Sequence, residues 1–326
     1  MSDLLELVLL VALPDSGKSD LRRYVGSLSE EQAGRDLHVG PLVRLHDVEY
    51  ARFMRRVDSV LASLRHGGVY FAGKARPLSD PWDWGTLARL VAMDYADLLA
   101  QRVHEPEHAV RFLMERIDEA GMQAGAKIKL AVLDEDLRHG LESALEAEAR
   151  ELLREKNNVF APGAEGKTVI VEFSRGGPRG AHMPLASPLG YAHSLGQLSV
   201  EMLKKAVLYY VWVTPEQSLE KNEARSAPED RLSGLHRGVP RAVMLHDYGC
   251  DDIDWLQDNS GQEGVVRVTS SEREFLLPVA RFDNRKDRTS FVRDPREEWS
   301  DEQVAGIHRE LRVGLEQLWT TRQALP

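Results

Sequence analysis

The chain has 326 residues, of which 42% are hydrophobic and 29% charged, enough to bury the core of one large domain or two smaller ones. A formal net charge of −10 argues against nucleic-acid binding through the phosphate backbone, which needs clustered Lys and Arg. One cysteine, Cys250, excludes an intramolecular disulfide framework and fits a reducing, cytoplasmic compartment. No segment approaches the roughly 18 apolar residues needed to cross a bilayer, so no membrane partner is expected.

Leu4 to Ala12 is nearly continuous and apolar, as a parallel strand buried on both faces requires. Met-Ser-Asp precedes it where a secretory signal has a basic segment, and it contains Glu6 and runs into a polar turn, so it is read as a strand and not as a secretory signal. Ala12-Leu13-Pro14-Asp15-Ser16-Gly17-Lys18-Ser19 follows, placing Gly-Lys-Ser between that strand and a helix over Asp20 to Leu28. This is the layout of a phosphate-binding loop, with Pro14 to Asp20 as the nucleotide-binding residues. Backbone N–H groups cradle phosphate oxygens, Gly17 admits close approach, Lys18 reaches the β- and γ-phosphates and Ser19 sits on Mg²⁺. Ala12 stands where the usual pattern has its first glycine. The bland alternative is a strand, a turn and a helix cap with no ligand.

Leu37 to Leu45 reads as a second strand, and Arg44-Leu-His-Asp47 at its end would present His46 or Asp47 to an acceptor hydroxyl. Residues 85–158 form a helical insertion that covers a substrate pocket or serves stability or homodimerisation. Within it, Leu137, Leu141, Leu145, Ala149 and Leu152 or Leu153 line one side of a helix. Ala161 to Gly166 is a linker.

Thr168 to Phe173 is a strand, and Glu172 near its end falls at the carboxyl edge where ligands of open α/β sheets bind. A carboxylate there can hold Mg²⁺ or accept a proton from an attacking hydroxyl; otherwise it forms a cap or a salt bridge. The next segment, Ser174-Arg-Gly-Gly-Pro-Arg-Gly180, offers Arg175 for bidentate contact with an anion, with Arg179 left open. Val207 to Val213 is the next strand, and Thr214-Pro215-Glu216-Gln217 starts a helix. Arg225, Arg231, Arg237 and Arg241 then make an arginine-rich lid over about 215–245, with Arg225 chosen to meet the charge developing on a transferred phosphoryl group. His246 to Asp254 is rich in carboxylates but lacks the spacing of a calcium loop. Val265–Thr269 and Phe275–Phe282 flank a polar turn and suggest a hairpin; Asn284, just beyond, is placed against an adenine base. Ser300-Asp-Glu-Gln303 opens a final helix with an apolar face of Val304, Ile307, Leu311, Leu315 and Leu318.

On Ala12 to Ser19, Glu172 with Arg175, and the arginine-rich lid, the chain resembles the P-loop kinases of the nucleoside and nucleotide kinase group. Glu-Phe-Ser-Arg-Gly-Gly and Val-Ala-Arg-Phe-Asp-Asn are similar to segments of bacterial ATP-binding proteins without an assigned substrate. The resemblance implies a three-layer α/β/α core with a mostly parallel sheet, split as 1–84 and 161–326 around a helical insertion at 85–160. It also implies Mg·ATP as phosphoryl donor and a small-molecule acceptor. Lys18 and the loop amides would hold the triphosphate, Ser19 and Glu172 the metal, Glu172 or Asp47 the acceptor, and Arg225 the charge in transit. A nucleotide-dependent switch acting on a protein partner uses the same loop and is the competing expectation.

Overall fold

The computed structural model describes residues 4–73, 75–225 and 238–325. Its centre is a six-stranded sheet of β1 (Leu7–Val11), β2 (Leu42–His46), β3 (Thr168–Phe173), β4 (Ala206–Trp212), β5 (Val265–Ser270) and β6 (Arg273–Asp283). The strands lie in the order β2-β3-β1-β4-β6-β5. All neighbours pair in parallel except β5 and β6, which form an antiparallel hairpin at one edge. That hairpin turns on Ser271 and Glu272, both at positive φ (50° and 62°), the two-residue geometry that matches strand twist.

Two faces of the sheet are covered by different helices. Val8 and Leu10 of β1 bury against α1 (Lys18–Gly26), α2 (Glu30–Leu37) and the long C-terminal α12 (Asp301–Ala324). Leu7, Leu9 and Val11 point the other way, into a core shared with α4 (Asp83–Leu99), α7 (Gly190–Gly196), α8 (Val200–Lys205) and α11 (Ile253–Asp258). The alternation follows from the period of two along a strand, and it makes three layers. The crossover from β1 to β2 runs one way along the sheet and uses the α1 face, whereas the later crossovers run the other way and use the opposite face. A single hand of crossover requires this division.

Outside the second face stands a helical bundle of α3 (Val48–Ser63), α4, α5 (Ala109–Ala124) and α6 (Glu135–Phe160), with its own apolar cluster. Leu141, Leu145, Ala149, Leu152 and Leu153 of α6 are buried in it, along the face that the sequence marks. The cluster takes in Tyr50, Phe53, Met54 and Val57 of α3, so the helical layer reaches back to Val48. It also shares α4 with the sheet, through Val91, Tyr95 and Leu98.

The expected strand over Leu37 to Leu45 is corrected to Leu42–His46. Leu37 instead ends α2, which the Ser29 side chain caps by accepting from the Gln32 N–H, and the chain leaves through His38 at φ 55°. A buried helix end and a strand adjoin there, so one apolar run spans both. The remaining elements, α9 (Pro215–Arg225) and α10 (Arg241–Asp247), follow β4. Thr214 and Gln217 cap α9 reciprocally, as Ser300 and Gln303 cap α12.

Helix α12 lies close to the sheet at Gly314, where an added Cβ would meet the Tyr209 ring at 2.6 Å; at Gly306 of the same helix it would meet nothing within 4 Å. Gly314→Ala is therefore expected to lower stability by about 1–3 kcal/mol. Gly306→Ala should be neutral or stabilising by up to about 1 kcal/mol. Urea unfolding of the two variants, compared with the parent chain, checks both.

Candidate functional site

The chain leaves β1 toward the β2 edge and leaves its neighbour β3 in the opposite direction, toward β4. Loops that diverge from adjacent strands open a crevice at their carboxyl ends, the place where open α/β sheets bind ligands. The 12–17 loop and the 174–180 segment both start there, with Leu10 in register with Glu172.

The loop is held from outside by its carbonyls. The Tyr191 hydroxyl donates to Ala12 O at 3.1 Å, Ser218 Oγ to Pro14 O at 2.6 Å and Asn284 Nδ2 to Ser16 O at 2.7 Å. Among the described residues, no protein acceptor is bonded to the backbone N–H groups from Asp15 to Asp20. The Ser16 hydroxyl is buried and also lacks a partner. Gly17 caps α1 at φ 104°, and a Cβ there would lie 2.5 Å from Thr289 Oγ1 and 2.6 Å from Asn284 Nδ2. Only glycine satisfies both the left-handed backbone and the close approach.

Lys18 opens α1 and bends back across the loop, its Nζ donating to Ser174 Oγ at 2.8 Å, Ala12 O at 3.1 Å and Leu13 O at 3.2 Å. Burial lowers its pKa to about 8, against the opposing pull of Glu172, Asp15 and Asp47. A desolvated ammonium ringed by neutral acceptors gains from any anion that can reach it. Ser19 is exposed one residue further along the helix.

The proposed acidic residues lie close by, and each is engaged by arginine. Glu172 is buried on the α1 face and pairs with Arg22 Nε at 2.5 Å and Arg44 Nε at 3.1 Å, the salt-bridged alternative that the sequence left open. Asp47 is buried at the start of α3, and its Oδ2 takes a 2.7 Å bond from Arg175. Arg175 is neither a solvated turn residue nor a free anion receptor. It is 2% exposed, stacks within 4.8 Å of the Trp84 ring and 5.0 Å of the Phe173 ring, and donates to Ser194 Oγ at 3.0 Å. Asp20, in the first turn of α1, is clasped by Arg293, with the shortest contact at 2.7 Å.

Arg225 ends α9 and pairs with Asp15, so it touches the loop through a carboxylate. Arg179 and Arg241 pair with Glu216 and Glu223 at the surface. Ser226 to Asp230, Arg231 and Arg237 lie outside the described residues. Asn284, expected against a nucleobase, is fully buried: its amide nitrogen also donates to Thr289 Oγ1 at 2.9 Å, and its oxygen accepts from the Arg288 N–H at 2.7 Å. In this position it clasps the loop. His246 pairs with Asp247, Asp251 with the Tyr210 hydroxyl, and Asp252 with the N–H groups of Tyr191 and Ala192. Among the described residues, no group of three or more His, Cys, Asp and Glu side chains could hold a metal ion.

Sequence reasoning did not single out Tyr191, Ser218, Thr289, Trp84 or Arg293. None of them carries a local signal, because they reach the site from segments far apart in the chain: Trp84 from α4, Tyr191 from α7, Ser218 from α9, and Thr289 and Arg293 from the segment after β6. Ser174 lies inside the Ser-Arg-Gly-Gly segment, where only its arginine drew notice. No protein-family model matches the chain, and no curated protein matches it.

If Asn284 acts as a clasp, Asn284→Ala leaves Ser16 O without its donor and should cost about 1–3 kcal/mol in urea unfolding. A base-contacting role instead predicts unchanged stability together with an altered preference between ATP and GTP.

Proposed function

We propose that the chain is a Mg·ATP-dependent phosphotransferase that moves a γ-phosphoryl group to the hydroxyl of a small molecule. What supports this reading is one observation: six consecutive backbone N–H groups without protein acceptors lead into a nine-residue helix whose first residue, Lys18, bends its desolvated ammonium back onto the same loop. Such a constellation favours multiply charged oxyanions, because the N–H partial charges, the helix end and the lysine all carry the same sign. The loop N–H groups would hold the triphosphate, and Lys18 would exchange its carbonyl partners for phosphate oxygens.

The residues present fit a magnesium ion of the kind that takes most of its ligands from phosphate and water. Ser19 offers an exposed hydroxyl next to Lys18, with Glu172 on the neighbouring strand. When bound, such an ion neutralises charge on the transferred phosphoryl group. Glu172 already serves two arginines, so the acceptor hydroxyl is assigned to Asp47, whose Oδ2 is fixed by Arg175 while Oδ1 has no bonded partner among the described residues. Arg225 would meet the developing charge after parting from Asp15. That pairing also favours a second reading, an ATP-driven switch: a nucleotide that displaced Asp15 would release the end of α9.

Lys18→Ala should weaken ATP binding by roughly 10- to 100-fold, the size of a charge-assisted contact, with the circular dichroism spectrum unchanged. Equal affinity in the variant overturns the assignment. A phosphotransferase yields ADP matched by a phosphorylated acceptor; ADP with free phosphate and no acceptor selects the switch.

The lowered pKa of Lys18 has a definite sign. Between about pH 8 and its ordinary 10.5 the unfolded chain binds the extra proton, so this group opposes folding at neutral pH and the penalty lifts as pH rises. A bound phosphate restores the charged form. ATP binding at pH 8 should therefore take up a fraction of a proton, read by calorimetry in buffers of different ionisation enthalpy, and Lys18→Met should abolish the uptake.

A further inference from the structure

Four of the nine large apolar side chains exposed among the described residues, Trp82, Met122, Ile128 and Val132, gather along two adjoining recesses of the helical layer. One recess, of about 530 Å³, lies between α5 and the 128–142 segment, with Met114, Met122, Ile128 and Ala131 in its walls. The other, of about 810 Å³, shares Ile128 and continues past Val132 to Trp82. Exposed apolar side chains scattered singly need no explanation, but a run of them along a concavity marks a surface that a partner covers.

Charge selects the sign of that partner. Seven carboxylates line the two recesses against four cationic side chains. Some are spent within the fold: Asp118 accepts from the N–H groups of Lys129, Leu130 and Ala131, Glu142 pairs with Arg111 at 3.1 Å, and Asp134 caps α6. Lys129 is a single cation for two acids, 3.0 Å from Asp83 and 3.4 Å from Asp80. Glu115, Glu119 and Glu135 form no ion pair among the described residues. Against these three stand Lys127 and Arg138, the latter bonded to Ala131 O at 3.5 Å, so the surplus is negative. Helix α5 places Glu115, Glu119 and Met122 on one stripe, at intervals of four and three, and so offers acid and apolar contacts side by side.

Small-molecule sites bury most of their ligand, whereas the apolar side chains of this track are between 38% and 71% exposed, which suits a long partner lying across it. We propose that a partner protein docks here through a basic amphipathic helix, its apolar stripe on Met122, Ile128 and Val132 and its lysines or arginines over Glu115, Glu119 and Glu135. This is the helix-in-groove mode of recognition, in which apolar burial drives association and complementary charge sets register and excludes wrong partners. None of these residues belongs to the 12–20 loop, so the site stands or falls independently of the phosphotransferase reading.

The test is a fluorescence-anisotropy titration of the full chain with a labelled Leu/Lys peptide patterned as an amphipathic helix. Its scrambled counterpart, of equal charge, should bind at least about tenfold more weakly, and a Leu/Glu version should not bind. Met122→Ser and Glu119→Lys, both at exposed positions, should each weaken binding by about tenfold with the circular dichroism spectrum unchanged. Glu297→Lys, exposed and outside both recesses, should titrate like the parent chain. Equal binding of the scrambled peptide, equal loss in Glu297→Lys, or parent-like titration of both groove variants would overturn the proposal. So would a dimer of the chain alone, seen by sedimentation and dispersed by Met122→Ser, which would assign the face to a second copy.

Discussion

Three side chains that bond to alternate carbonyls of one loop set the character of this crevice. In a trans peptide the C=O and the following N–H point in opposite directions, so a carbonyl held on one side fixes an N–H on the other. Tyr191 holds Ala12 O, Ser218 holds Pro14 O and Asn284 holds Ser16 O. The peptide groups that follow Pro14 and Ser16 therefore turn the N–H groups of Asp15 and Gly17 away from these donors. The N–H groups of Lys18, Ser19 and Asp20 continue the same positive surface as the unpaired first turn of α1. These anchors come from α7, α9 and the loop after β6, so the loop's shape is enforced by three segments distant in sequence as well as by Gly17.

A second constraint is electrostatic. A chain with net charge −10 carries Asp15, Asp47 and Glu172 around Lys18 and Asp20 in the first turn of the same helix, and bare carboxylates there would repel a polyphosphate. Each has an arginine: Arg225 on Asp15, Arg293 on Asp20, Arg175 on Asp47, and Arg22 with Arg44 on Glu172. The arginines therefore cancel the acids locally and leave Lys18 and the N–H groups as the net field. A buried pair such as Asp47 with Arg175 contributes little to stability over an apolar replacement, although removing one partner strands a charge. Its value here is positional, since it ties the start of α3 to the segment that follows β3.

The parts of this arrangement that the sequence discloses are those carried by short-range pattern. Thr168–Phe173 is legible as a strand to its last residue because every side chain in it is buried, and the Ser300 and Gln303 caps follow from four adjacent positions. Gly-Lys-Ser gives the turn from β1 into α1 for the same reason. Side-chain roles were less legible. Arg175, Glu172 and Asn284 were each marked as candidates, yet whether they face a ligand or one another depends on contacts between residues 128, 150 and 268 positions apart. Leu37 shows the local version of this limit: burial at a helix end and burial in a strand leave the same apolar letter.

The helical layer belongs to the same mechanical unit as the crevice, because the first turn of α4 serves both. Trp84 stacks on Arg175 and offers its carbonyl to that guanidinium at 3.5 Å, while Val91, Tyr95 and Leu98 further along bury against the sheet. On its other side α4 presents Asp94, fully buried, to the Tyr50 hydroxyl of α3 at 2.7 Å, Arg116 of α5 at 3.0 Å and Lys156 of α6 at 2.6 Å. One carboxylate thus binds a side chain from every other helix of the bundle. Apolar contacts alone would tolerate sliding of one helix along another, but a buried charge tolerates only the register in which all its partners meet it. Asp94 therefore fixes where α4 stands against the bundle, and through Trp84 that position fixes where Arg175 holds Asp47 at the mouth of the loop.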